Sequence, residues 1–65
     1  MINNLYLEAD VRGLEHEIAR IVKDTLSYYG LTLTDVVRIV ARELCIAITD
    51  KLYQVVKKYY DKYKK

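Results

Sequence analysis

The sequence has few of the residues that end helices, and it lacks the largest apolar side chains. Its 65 residues include no proline, no tryptophan, no phenylalanine and only two glycines. A single cysteine excludes a disulfide scaffold within one chain, and a hydrophobic content of 52% excludes a disordered chain. A chain this short buries only about 60% of its unfolded surface when it folds alone, so we expect one small domain, stabilised by self-association.

The residues that carry most enzyme chemistry are equally scarce. The only histidine, His16, falls on the polar face of a predicted helix, and Cys45 lies within an apolar run. Gly13 and Gly30 are isolated, so no glycine-rich phosphate loop is present. We therefore expect no catalytic residue, no metal, no cofactor and no small-molecule substrate; the protein is not predicted to be an enzyme.

No stretch of the sequence resembles a membrane anchor. The longest uninterrupted apolar run covers residues 44–48, far short of the ~20 residues that span a bilayer. The first residues lack the basic and then apolar pattern of a secretory signal. We expect a cytoplasmic protein with no membrane contact. Its few amides and many charges are typical of a thermophile.

Positive charge is concentrated in the second half of the chain. Residues 1–29 carry five acidic and three basic side chains, a net charge of −2. Residues 30–65 carry eight basic and four acidic side chains, a net charge of +4. Any attraction for a polyanion should therefore come from the second half.

Hydrophobic periodicity divides the chain into a leader and two helices. Apolar and polar types alternate over residues 5–12, which predicts a short strand or an extended leader within residues 1–10. Residues 11–29 show helical spacing, and Gly30 is expected to end this helix in a left-handed conformation. Residues 33–63 continue with helical spacing and contain no glycine or proline. We expect a mainly α, two-helix hairpin with one long second helix.

The apolar residues of the second helix predict self-association. Ten of the thirteen residues from 36 to 48 are apolar, more than one neighbouring helix can cover. A second subunit would cover the rest, giving a single domain over residues 1–65 that is completed by homodimerisation. The expected oligomer-interface residues are Val36, Ile39, Val40, Leu44 and Ile48.

The C-terminal helix is rich in lysine and tyrosine. Such a helix could neutralise phosphates and stack on unpaired bases, or lie on a membrane surface. It could also be a packing stripe of tyrosines with a solvated lysine face. We expect Tyr29, Tyr59 and Tyr63 to pack, and Tyr53 and Tyr60 to remain near the polar face.

Residues 18–42 resemble the ribbon-helix-helix family of DNA-binding repressors. The likeness lies in Gly30 followed by Leu-Thr-Leu-Thr-Asp-Val-Val-Arg, where hydroxyl residues open a helix that carries an acidic residue, a hydrophobic pair and an arginine. The resemblance implies an intertwined homodimer whose paired N-terminal strands enter the major groove. It also implies these nucleic-acid contacts: Tyr6, Arg12, Thr32, Thr34 and Arg38.

Two hypotheses for function follow from the sequence. The first is a small homodimeric DNA-binding protein of ribbon-helix-helix type that regulates transcription. The second is a helical protein-protein interaction or assembly module, completed as a four-helix dimer, with no DNA binding. Thr32 is the expected N-cap of the second helix, with Asp35 three residues on and Thr34 as the alternative cap.

Overall fold

The described part of the chain consists of three helices. The computed structural model describes residues 13–64 and contains no strand within them. The helices are α1 (Glu15–Tyr28), α2 (Leu33–Leu44) and α3 (Asp50–Tyr63). The mainly α fold class is therefore confirmed. The predicted strand or leader over residues 1–10, and the first two residues of the predicted helix 11–29, lie outside the described residues.

Helix α1 ends without the left-handed glycine that the sequence predicts. Tyr29 follows the helix in an extended conformation, with φ −136° and ψ 140°, and its amide donates to the carbonyl of Thr25. Gly30 has no positive φ, and a Cβ atom built on it would meet nothing within 4 Å. The prediction for Gly30 is thus wrong, because the chain leaves α1 by extending at Tyr29 and does not need the left-handed region.

Helix α2 begins at the cap predicted from the sequence. The hydroxyl oxygen of Thr32 accepts a hydrogen bond from the Asp35 amide at 3.3 Å. The same hydroxyl donates to the Asp35 carboxylate at 3.1 Å. Thr32 therefore satisfies one of the unpaired amides of the first turn, and the acidic side chain suits the positive end of the helix dipole.

The second helix does not run to residue 63, so the predicted two-helix hairpin is wrong. Helix α2 ends at Cys45, which adopts the left-handed conformation with φ 56° and ψ 44°. The Ile46 amide donates to Ala41 at 3.0 Å and the Cys45 amide donates to Arg42 at 3.3 Å. This paired arrangement is a Schellman motif, which usually has glycine at the position that Cys45 occupies. A side chain there costs roughly 1–2 kcal/mol.

Helix α3 has its own cap and folds back on the other two helices. The Thr49 hydroxyl accepts a hydrogen bond from the Leu52 amide at 3.1 Å, and Asp50 adds an acidic residue to the first turn. Leu52 and Val56 are fully buried and Val55 is almost so. Burying three such side chains contributes about 1.5–3 kcal/mol each, which outweighs the strain at Cys45.

One hydrophobic core joins the three helices. Its buried members come from every helix: Ile18 and Val22 from α1, Val36, Val37, Val40 and Ala41 from α2, and Leu52, Val55 and Val56 from α3. Ten further apolar or tyrosine side chains, half-buried, pack around this core. The valine-rich face of α2 is thus covered from two sides by the chain itself.

We expect loss of the α3 cap to destabilise the fold. Thr49→Ala removes the acceptor for the Leu52 amide, and the free energy of unfolding should fall by about 1 kcal/mol. Urea unfolding followed by circular dichroism measures this change.

Thr34→Ala provides the matched control for that measurement. Thr34 is exposed in the first turn of α2, and no hydrogen bond of its side chain occurs within residues 13–64. Its replacement should change stability by less than about 0.5 kcal/mol. Equal losses in the two variants would contradict a capping role for Thr49.

Candidate binding groove

A groove opens at the end of the bundle where α1 and α3 finish. We call it the tyrosine groove, and it has a volume of about 780 Å³. Its lining residues come from α1, from the α1–α2 connection and from the last turn of α3: Lys23, Leu26, Ser27, Gly30, Leu31, Tyr60, Tyr63 and Lys64. Among the described residues, the lining combines apolar and aromatic surface with two ammonium groups and contains no carboxylate.

A single hydrogen bond between distant parts of the chain supports this groove. The Tyr60 hydroxyl donates to the Leu31 carbonyl at 3.0 Å and so ties the end of α3 to the α1–α2 connection. Leu31 and Leu26 are half-buried and pack against the core. The groove therefore has an ordered wall, and the polar end of Tyr60 is already satisfied within the chain.

The lysines near the groove lie over tyrosine rings. Lys64 Nζ is 5.5 Å from the centre of the Tyr60 ring, and Lys23 Nζ is 6.0 Å from that of Tyr63. Lys62 approaches Tyr63 as well, at 5.5 Å. Each such contact is worth about 0.5–1 kcal/mol at an exposed site. The contacts hold the ammonium groups close to the aromatic surface while leaving them in contact with water.

Two more tyrosines extend the aromatic surface beside the groove. Tyr28 is 79% exposed and Tyr29 is 63% exposed, and their ring centres lie 6.3 Å apart. The apolar spacing of the first helix predicts that Tyr29 packs against the core. That expectation is wrong, because the extended conformation of Tyr29 carries its side chain away from the apolar face of α1.

Tyr59 and Tyr63 make the packing contacts expected of them. Their rings stack with centres 6.4 Å apart and an interplanar angle of 15°. The Tyr59 hydroxyl donates to the Glu15 carboxylate at 3.1 Å, and Lys58 Nζ lies 3.5 Å from the same carboxylate oxygen. These contacts fix the middle of α3 against the start of α1.

The residues implied in nucleic-acid binding are only partly brought together. Tyr6 and Arg12 lie outside the described residues. Thr32 and Thr34 are exposed at the start of α2, and Arg38 is exposed in its middle. The Thr32 hydroxyl is engaged with Asp35, whose carboxylate occupies the positive end of the helix where a phosphate was expected to bind.

Arg38 lines a second, shallower groove along α2. This arginine groove measures about 340 Å³ and is formed by Leu31, Asp35, Arg38, Ile39 and Arg42. Both arginines are exposed, and neither forms an ion pair with a carboxylate within residues 13–64. Asp35 reduces the positive charge of this surface at one end.

The expected oligomer-interface residues differ widely in exposure. Val36 and Val40 are fully buried within the single chain, whereas Ile39 and Leu44 are half-buried and Ile48 is 55% exposed. The two valines lie in the core that all three helices share, so their burial does not require a second subunit. This corrects the assignment of Val36 and Val40, which assumed that only the first helix packs on the second.

The ion pairs of the described helices are exposed. The Lys57 ammonium donates to Asp61 at 2.8 Å, and this hydrogen bond lowers the pKa of the Asp61 carboxyl. The small stabilisation is therefore present above the usual carboxyl pKa and is lost as pH falls through the lowered value. Arg20 pairs with Glu17 one turn away. Exposed pairs of this kind stabilise little.

The chemically reactive side chains lie apart from each other. His16 and Cys45 are both exposed, which differs from the buried position expected for Cys45. Cys45 is exposed because α2 ends there and turns the side chain out of the core. Residues 13–64 contain no cluster of three metal-ligating side chains and no helix long and apolar enough to cross a membrane.

Comparison of the chain with protein-family models, with curated proteins and with solved structures found no match.

The tyrosine groove is not predicted from the sequence, because the helical spacing of residues 33–63 gives no sign that α2 ends at Leu44. Without the turn at Cys45, Tyr60 would lie far from Leu31 and no groove would form. The available signal was Thr49 followed by Asp50, a cap and an acidic first turn within an otherwise apolar run.

We expect the Tyr60 hydroxyl to contribute to stability. Tyr60→Phe leaves the Leu31 carbonyl without its donor and should lower the free energy of unfolding by about 1 kcal/mol. Tyr53→Phe is the matched control, because Tyr53 is 40% exposed on the same helix. Its effect should stay below about 0.5 kcal/mol in the same urea titration. Identical values for the two variants would show that the Tyr60–Leu31 bond adds no stability.

Proposed function

We propose that this chain is a helical binding module that receives an acidic, partly apolar segment of another protein in the tyrosine groove. The observation that carries the proposal is the composition of the groove, in which Leu26, Tyr60 and Tyr63 form an apolar surface edged by Lys23 and Lys64. Apolar side chains of the partner would enter the groove, and its carboxylates would meet the two ammonium groups.

The physical properties of the groove favour a protein segment over duplex DNA. Tyrosines are enriched at the centres of protein interfaces, because each ring offers a large apolar surface with a polar end. Duplex DNA presents charged phosphates on a convex surface and would leave a concave apolar groove unfilled. The whole chain has a net charge of only +2, which gives weak general attraction to a polyanion.

A pair of matched peptides tests the proposal. A fluorescent peptide of alternating glutamate and leucine should bind, as measured by anisotropy, and one with glutamine in place of glutamate should bind more weakly. Lys23→Gln combined with Lys64→Gln should weaken binding of the glutamate peptide about 3- to 10-fold, because two exposed charge contacts are lost.

Lys51→Gln is the control for that double variant. Lys51 is exposed in the first turn of α3, at the far end of this helix from the groove. Its replacement should leave the affinity nearly unchanged. Absence of peptide binding, equal binding of the two peptides, or equal weakening by Lys51→Gln would contradict the proposal.

The second candidate is a homodimeric DNA-binding regulator of the ribbon-helix-helix kind. The observation that favours it is the arginine groove, where Arg38 and Arg42 project from one exposed side of α2. In this proposal the arginines, with Thr32 and Thr34, contact the phosphate backbone, while Tyr6 and Arg12 contact the bases.

A gel-shift series with duplex DNA at increasing salt tests the second candidate. Binding through phosphates predicts an affinity that falls steeply with salt, and Arg38→Gln should reduce the slope by about 1. Arg20→Gln is the control, since Arg20 is engaged with Glu17. Absence of binding at low salt, or binding that does not change with salt, would exclude this candidate.

A further inference from the structure

The connection between α2 and α3 is short, apolar and conformationally strained. Residues 45–49 read Cys-Ile-Ala-Ile-Thr and contain neither of the residues that normally stop a helix. Cys45 nevertheless adopts the left-handed conformation, with φ 56° and ψ 44°. Apart from the Thr49 cap, these five residues, with α2 before them and α3 after them, have the local sequence of one continuous helix.

The apolar side chains of this connection are poorly covered. Ile48 is 55% exposed, Ala47 is exposed, and Ile46 is only half-buried. The turn therefore combines a backbone conformation that disfavours a side chain with an apolar surface left in contact with water. The unfavourable backbone conformation would be relieved if the turn opened into a helix.

The contacts that hold α3 in place do not depend on the connection. Leu52 and Val56 are buried against α1 and α2, Tyr60 donates to Leu31, and Lys58 and Tyr59 contact Glu15. Each of these contacts joins α3 to another helix or to the α1–α2 connection. A second copy of the chain could supply α3 and make the same contacts again.

We propose that two copies of this chain exchange α3, with residues 33–63 forming one continuous helix in each copy. In each half of the dimer, α3 of one copy occupies the position that α3 of the other copy holds in the closed chain. The core contacts and both tyrosine hydrogen bonds of α3 then form between the two copies. Because each copy gives and receives the same helix, the exchange forms a closed dimer and does not extend to further copies. Short strained hinges favour such an exchange.

The opposing free-energy terms predict that the fraction of exchanged dimer depends on the concentration of the chain. Opening the turn removes the left-handed conformation at Cys45 and adds helical hydrogen bonds over residues 45–49. The loss of translational and rotational freedom when two chains associate opposes dimer formation. Monomer and exchanged dimer should therefore coexist, with the dimer favoured as the chain concentration rises. This inference does not depend on the partner proposed for the tyrosine groove.

Substitutions in the turn should shift this equilibrium in opposite directions. Cys45→Gly relieves the strain of the closed turn and disfavours a continuous helix, so it should weaken the dimer by about tenfold or more, because two turns change in each dimer. Thr49→Ala removes the cap of α3 and favours the continuous helix, so it should strengthen the dimer. Thr34→Ala should leave the equilibrium unchanged. Sedimentation velocity over a wide range of chain concentration measures the monomer–dimer equilibrium of the unmutated chain and of the three variants.

Crosslinking distinguishes exchange from simple surface contact. Isotopically heavy and ordinary chains are unfolded together, refolded, and treated with a carbodiimide that joins lysine to a carboxylate in direct contact. In the isolated dimer, the crosslink between Glu15 and Lys58, 3.5 Å apart, should join heavy chains to ordinary ones. The crosslink between Lys57 and Asp61, 2.8 Å apart within α3, should stay within one chain.

Three results would overturn the proposal. One is a chain that stays monomeric at every concentration in both the unmutated and the Thr49→Ala forms. Another is a dimer in which the Glu15–Lys58 crosslink is found only within single chains, since that dimer would be held by surface contact. The third is a dimer whose stability is unchanged by Cys45→Gly while Cys45→Gly remains folded by circular dichroism.

Discussion

The packing of α3 onto α1 and α2 is the constraint on which the rest of the structure depends. It covers the valines of α2 that would otherwise face water, and it holds Tyr60 against Leu31. The turn at Cys45 exists because this packing stabilises the chain by more than the left-handed conformation costs. Residues 45–49 contain no glycine or proline that would by itself end the helix, so the turn depends on this packing together with the Thr49 cap.

The same packing decides where binding surface is available. Because Val36 and Val40 lie in the core shared with α1 and α3, the apolar face of α2 is used internally, and aromatic surface lines the groove where α1 and α3 end. Charge follows a similar division. The exposed charges near the middle of α3 form ion pairs, whereas Lys23 and Lys64 lie beside an apolar groove that no carboxylate of residues 13–64 lines.

A chain of this size has a small free energy of unfolding, and the strained turn lowers it further. A domain held by one small core and tyrosine hydrogen bonds has an unfolding free energy of a few kcal/mol. Strain at Cys45 and exposure of Ile48 are a noticeable fraction of that amount. These two features are the basis of the proposal that the closed chain and an exchanged pair are close in free energy.

The sequence by itself determined the helical fold class and the Thr32 cap, because periodicity and capping chemistry are local. It also placed Val36 and Val40 on a face that had to be buried. Only the tertiary structure decided what buries them, where α2 ends, and that Gly30 needs no special conformation. Those outcomes depend on contacts between residues far apart in the chain, such as Tyr60 and Leu31, and long-range packing can override a local preference for helix by a few kcal/mol.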